Sequence, residues 1–159
     1  MKKVRIEDVA APRSNSPADV FRPLSAVLGT DAVAINYFEL APAESFGYAY
    51  HRHLDQEEVF YVREGTVTFE TESGEVEVGP DEVVRFAPGE FQLGRNRGDE
   101  RVVALAIGAP RETEAIEYLR ECPECAERTI QVPETVEGGD EGFVIRCKTC
   151  DTVVDEFLL

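Results

Sequence analysis

Short apolar runs separated by turn signals fill most of the chain. Ala32 to Leu40 reads as a strand, Pro42-Ala43-Glu44-Ser45 as a turn, and Phe46 to His53 as a second extended segment. Val59-Phe60-Tyr61-Val62 is the next apolar run, headed by Glu57 and Glu58. Thr66-Val67-Thr68-Phe69-Glu70 alternates apolar and polar residues, as a half-buried strand does. Ser73-Gly74 makes a hairpin turn into Val76 and Val78, with Glu75 and Glu77 outward. Gly79-Pro80-Asp81 turns the chain into Val83-Val84-Arg85-Phe86, Pro88-Gly89 turns it again, and Val102 to Ile107 closes the series. Short strands, turn signals about every ten residues and no long helical period predict an all-β sandwich or barrel.

The flanks read differently. Ala11 to Pro17 is a loop by its Pro and Ser content, and Pro17 to Phe21 is expected to begin a short turn of helix, with Phe21 or Leu24 capping the core. Pro110 stops the last barrel strand. Arg111 to Glu121 is expected as a short connecting helix, with Ala115, Ile116 and Leu119 on its apolar face at i, i+1 and i+4. Beyond it, Thr129 to Val132 and Gly142 to Ile145 read as strands around Gly138-Gly139-Asp140, and Val153-Val154 with Phe157-Leu158 can add a third. The expected organisation is a β-barrel domain over 1–115 and a small module with its connecting helix over 116–159.

The chemistry-bearing residues are concentrated. His51 and His53 are the only two histidines. They stand at i and i+2 of an extended segment, so both imidazoles face one side. Glu58 follows five residues later. Parity alone does not choose between Glu57 and Glu58 as the inward carboxylate, because both alternate sets behind them are apolar; the spacing to Gly65 favours Glu58. Two imidazoles and one carboxylate can hold a first-row divalent metal, the set used by non-haem iron oxygenases.

His51-x-His53, four residues, Glu58, six residues and Gly65 resemble the first motif of the cupin superfamily. The leading Gly of that motif falls on Ser45, and the nearest glycine is Gly47. The second cupin motif is similar to Ala87-Pro88-Gly89-Glu90-Phe91-Gln92-Leu93-Gly94-Arg95-Asn96. Gly89 and Asn96 hold their spacing; the expected Pro falls on Ala87 and the expected His on Gln92. The resemblance covers roughly residues 30 to 108 and implies a double-stranded β-helix, a cupin jelly-roll barrel. It also implies a divalent metal (Fe, Mn, Ni or Zn) on His51, His53 and Glu58. Three arrangements of Gln92 stay open: fourth ligand, holder of a bound water, or a substitution that ends metal binding. The first two are favoured, since the other three ligands are intact. A small organic substrate follows from the resemblance, with dioxygenase, isomerase or decarboxylase chemistry not distinguished. Arg95, Arg85 and Tyr50 come next as pocket candidates, behind a surface role for each.

The four cysteines, Cys122, Cys125, Cys147 and Cys150, form two Cys-x-x-Cys pairs separated by 21 residues. That spacing is a strong signal for tetrahedral zinc, and a site with four Cys ligands leaves no open position, so the zinc is structural. The stretch resembles a zinc ribbon. A module of about forty residues cannot fold on its own core, and the metal supplies the missing stability.

Composition sets outer bounds. The 159 residues carry a net charge of −16 from 32 acidic and 16 basic side chains, and only Lys2, Lys3 and Lys148 are lysines. The acids are dispersed, a composition that resembles haloarchaeal proteins, adapted to high internal salt. The segment 116–159 holds four basic and eleven acidic side chains, which makes nucleic-acid binding the weaker expectation and protein contact through the ribbon the stronger. No apolar run reaches membrane-span length and the N-terminus lacks a signal peptide's apolar core, so a cytoplasmic protein is expected. A homodimer is the expected assembly. The leading functional expectation is a metal cupin acting on a small molecule; the alternative is a non-enzymatic cupin that senses a ligand or metal and relays it through the ribbon to a protein partner.

Overall fold

The computed structural model describes every residue except 13–15, 114, 136–141 and 159. The expected Gly138-Gly139-Asp140 turn and the Arg13-Ser14-Asn15 part of the N-terminal loop lie outside the described residues.

Two sheets form the molecule. The first pairs β1 (Val20–Pro23), β2 (Ala34–Leu40), β9 (Val102–Ala109), β4 (Glu57–Glu64) and β7 (Glu82–Phe86), in that spatial order. The second runs β13 (Val153–Leu158), β12 (Gly142–Cys147), β11 (Glu127–Thr135), β10 (Ile116–Cys122), β3 (His51–His53), β8 (Gln92–Arg95), β5 (Val67–Thr71) and β6 (Gly74–Val78). All the pairings are antiparallel. The inner faces enclose Phe38, Leu40, Phe60, Val62, Val67, Phe69, Phe86 and Val102, all buried. Phe46 lies within about one ring diameter of three of them, with centroids 5.1 Å from Phe38, 5.0 Å from Phe60 and 6.0 Å from Phe69. Packed aromatic rings of this kind supply much of a small barrel's apolar burial.

The period of two settles the parity left open by sequence. On β4, Phe60 and Val62 are buried, so Glu58 shares their inward face. Glu57 points outward and pairs with Arg85 at 2.7 Å. After β4 the chain must turn back between Glu64 and β5. Gly65 does this with φ +72, and a Cβ there would lie 2.6 Å from the Arg101 carbonyl oxygen, so only glycine fits.

Three local expectations are corrected. Residues 116–122 form a strand, β10, and not part of a helix: Ile116, Glu117 and Tyr118 pair with His53, Arg52 and His51. The apolar i, i+1, i+4 spacing is an accident of a strand whose Glu117, buried on the face away from the histidines, breaks the apolar alternation. The chain after Ser16 bends and enters β1 directly; the helix comes later, as α1 (Leu24–Leu28), closed by Gly29 at φ +69. Only His51–His53 of the extended segment is strand, with bends over 46–50. The expected module boundary near residue 116 falls at the start of β10, and the pairing of β10 with β3 makes the C-terminal strands continuous with the barrel's second sheet. Among the described residues no helix is long and apolar enough to cross a membrane.

Candidate metal centres

Strand alternation turns His51 and His53 inward from β3, Glu58 reaches the same point from β4, and Gln92, opposite His51 in the β3–β8 register, comes from β8. One donor atom from each of His51, His53 and Glu58 lies within 4.8 Å of the others. The two imidazole rings are 5.2 Å apart and nearly perpendicular, at 85°. His51 directs Nδ1 to the Ala49 carbonyl oxygen at 2.8 Å, which leaves Nε2 for the centre. His53 directs Nδ1 to the Thr113 hydroxyl at 3.3 Å, and that hydroxyl donates to Asp55 Oδ1 at 2.7 Å. Each imidazole therefore has its far nitrogen engaged by a neighbour, as metal-ligating histidines do. Gly47, two residues beyond Ser45 where the motif places its leading glycine, leaves room beside the His51 ring; a Cβ there would sit 3.2 Å from Cε1.

Gln92 is 3% exposed and its amide nitrogen donates to Glu58 Oε2 at 2.8 Å and approaches His51 Nε2 at 3.3 Å. Its Oε1 is buried with no hydrogen-bond partner among the described residues. A buried carbonyl oxygen without a partner is costly, and a half-turn about Cγ–Cδ exchanges it with the nitrogen. The residues thus offer two unprotonated imidazoles, a carboxylate and an amide oxygen in want of a partner, a donor set that fits a divalent cation.

Electrostatics agrees. Burial drives His53 down to about 4, with His51 nearby adding to the effect, and burial also lowers His51. Burial pushes Glu58 up to about 7, against the Gln92 hydrogen bond that pulls it down. The 3.7 Å approach of His53 Nε2 to Glu58 is therefore a contact between groups that burial drives towards their neutral forms and not an ion pair. A bound cation would favour the ionised carboxylate and so oppose the effect of burial on Glu58.

Asn96, the last position of the second motif, is structural: its amide donates to the carbonyls of Leu40 and Glu100 at 3.0 and 2.8 Å. Tyr50, Arg85 and Arg95 leave the site. Tyr50 stacks on Phe91 at 5.1 Å on the other face of β3, Arg85 pairs outward with Glu57, and Arg95 shares the outward parity of Leu93. Sequence reasoning missed Tyr118. It stands opposite His51 in the β3–β10 register, so it shares the inward face, with ring centroids 6.2 Å apart. Its hydroxyl has no hydrogen-bond partner among the described residues, and burial raises its pKa, so it stays a neutral phenol. Only recognition of residues 116–122 as a strand could have found it.

The four cysteine sulfurs also converge, all within 4.8 Å of one another. Cys122 and Cys150 are 3.6 Å apart, Cys125 and Cys147 3.9 Å. A tetrahedron of sulfurs about 2.3 Å from one ion has edges of about 3.8 Å. The two Cys-x-x-Cys turns are built alike. Ala126 N donates to the Cys122 carbonyl at 2.9 Å and Asp151 N to the Cys147 carbonyl at 3.0 Å, with Ala126 and Asp151 in the left-handed region at φ 55 and 65. A hydrogen bond with the Thr129 hydroxyl holds the Cys147 thiol down at about 6, and Thr152 lowers Cys150, both favouring thiolate.

Residues 36–108 match the family model described as Cupin domain. No curated protein matches the sequence. Among solved structures, a sugar phosphate isomerase of the cupin superfamily from Silicibacter pomeroyi is 18% identical, with 98% of this chain and 99% of that chain covered and a TM-score of 0.73. A polyketide cyclase from Streptomyces resistomycificus is 26% identical over 77% of this chain and 88% of that one, TM-score 0.63. A predicted oxalate decarboxylase from Thermotoga maritima is 20% identical over 69% and 99%, TM-score 0.59. The motif spacing, the two-sheet barrel and these matches support placing residues 36–108 in the cupin superfamily.

Proposed function

We propose that the barrel is an enzyme centre that binds one divalent metal on His51, His53 and Glu58, with Gln92 Oε1 as a further oxygen donor, and acts on a small organic molecule presenting an oxygen to that metal. The observation that carries this is the convergence of the three donor atoms within 4.8 Å, with the Gln92 amide group set against Glu58 and His51 and its Oε1 buried without a partner among the described residues. A bound metal would polarise a carbonyl or hydroxyl oxygen of the substrate. The remaining work falls to this chain's residues. The Ala49 carbonyl and the Thr113 hydroxyl orient the two imidazoles. Tyr118, a neutral phenol beside His51, is suited to donate a hydrogen bond to a substrate oxygen. Isomerase, cyclase and decarboxylase names among the similar structures do not choose the reaction.

The same reading gives the four cysteines a structural zinc. All four ligands are sulfur, no position is open for substrate, and the left-handed Ala126 and Asp151 are the sort of local strain that a metal-closed turn offsets. Elemental analysis of the purified chain tests both centres. The wild type should hold two metal ions per chain and His51→Ala one, retained by the cysteines, with the barrel still folded because apolar packing holds its strands. Full retention of the second ion in His51→Ala would remove the barrel site.

A further inference from the structure

The alternation that turns His51 and His53 inward turns Arg52, between them, outward, and what Arg52 meets there leads to the cysteine centre. Its Nε and Nη2 both donate to Glu117 Oε2, at 2.9 and 2.7 Å. Its guanidinium lies 4.5 Å over the Phe91 ring. Glu117, on β10, is only 5% exposed. Its other oxygen, Oε1, accepts a bond from Lys148 Nζ at 2.9 Å. Lys148 sits inside the second Cys-x-x-Cys turn, next to Cys147, and its own amide is tied to the Ile130 carbonyl at 2.9 Å. One buried carboxylate thus bridges a residue flanked by both barrel histidines and a residue flanked by two cysteines.

A second tie fixes the far side of the same strand. Gly89, in the turn before β8, donates its amide to the His53 carbonyl at 2.7 Å, and Arg52 Nη1 reaches the Gly89 carbonyl at 3.4 Å. Arg52 therefore touches the turn that leads to Gln92 as well as the strand that carries the histidines. β3 itself is three residues long and pairs with β8 at a single register position. So short a strand depends on outside contacts for its position, and Glu117 supplies a charged one where burial makes a lost partner expensive.

We infer that Glu117 is a positioning residue for the barrel metal: through Arg52 on one side and Lys148 on the other, it lets the closed cysteine centre hold the His51–His53 strand in metal-binding geometry. The two centres are then energetically linked, and by reciprocity each ion tightens the binding of the other. This rests on the proposed barrel metal site. It adds that the C-terminal module acts on that site and is not an independent appendage.

The test uses the full-length, zinc-loaded chain and cobalt(II) as the probe. Glu117→Gln keeps the shape and removes the charge; Lys148→Met keeps the stem of a half-exposed side chain and cuts only the link to the cysteine turn. Each should weaken cobalt binding at the barrel by about tenfold, within the usual range of coupling between sites. Zinc content should stay at one per chain, and the double variant should be no weaker than Glu117→Gln alone. Hydrogen exchange at the amides of residues 51–53, read without barrel metal, should speed up in both variants. Cobalt affinity within twofold of wild type in both variants, with unchanged exchange at 51–53, overturns the inference. If the wild type binds no cobalt in the barrel, the metal reading itself falls, and the exchange measurement alone decides whether Glu117 positions the strand.

Discussion

Glu58 and His53 titrate in opposite directions for the same reason, loss of water around a charge. Glu58 is pushed up to about 7 and His53 down to about 4. The signs for the metal-free chain oppose each other. Glu58, raised on folding, contributes stability below its unfolded value near 4.5 that is lost as pH rises through 7. His53, depressed on folding, contributes stability above its unfolded value near 6.5 that is lost as pH falls towards 4. For metal binding between pH 5 and 7, His53 is already neutral and Glu58 must give up its proton. Barrel affinity should therefore fall by about tenfold per pH unit on going down from 7, and level off above it. Competition titration with a metal-sensitive dye at stepped pH reads this slope; a flat profile between pH 5 and 7 would take Glu58 out of the ligand set. Gln92 gives a second test at this scale. Gln92→His replaces a neutral amide by an imidazole and should tighten binding in the same titration. His51, His53, Glu58 and Gln92 were all legible in sequence because their spacing is local or follows a motif. The orphaned Gln92 oxygen was not, since it depends on what three strands put around it.

β10 marks the limit of pattern reading. Its residues alternate between the site and the outer face, with Tyr118 to the site and Glu117 and Leu119 away from it. A buried glutamate at an apolar position hides that alternation, and its partners Arg52 and Lys148 lie 65 and 31 residues away in sequence. No local rule weighs a contact so remote. The β5–β6 hairpin was read more nearly, because alternation and its Ser73-Gly74 turn specify it within a few positions, and strands β11 and β12 were read from their apolar runs. The two cysteine turns were legible by spacing, but their left-handed Ala126 and Asp151 were not, since neither is glycine. The element pairings refine what loss of the cysteine centre should do. Cys125→Ser should release β11 to β13, while β10 keeps its edge on β3 through Tyr118–His51 and its neighbours. Hydrogen exchange should rise over residues 127–158 and stay low at 116–118 and across β4 and β9. Uniform exchange over the whole chain would mean that the barrel cannot stand without the module.

For the molecule as a whole, the surface charge balance decides how stability responds to salt. Ion pairs are numerous but mostly exposed: Arg5–Glu7, Arg63–Glu64 and Arg97–Glu75 have both side chains about half exposed or more. Pairs of this kind contribute roughly 0–1 kcal/mol each and weaken in salt. Against them stands an excess that pairing cannot remove. With 32 acids and 16 bases, a net charge of −16 remains even if every base is engaged. Folding brings those charges together, and their repulsion works against the compact state. Raising salt shortens the screening length from about 10 Å at 0.1 M to about 3 Å at 1 M, which is below the spacing of most surface carboxylates but not of contact pairs. Repulsion is thus screened more completely than attraction. The melting temperature, followed by circular dichroism with both metal centres loaded, should climb steadily from low to molar potassium chloride. Sodium chloride should act alike, because screening depends on ionic strength and not on the cation. A melting temperature that stays flat or drops over that range would mean that the ion pairs outweigh the unpaired carboxylates, and that the acidic surface is not a salt adaptation.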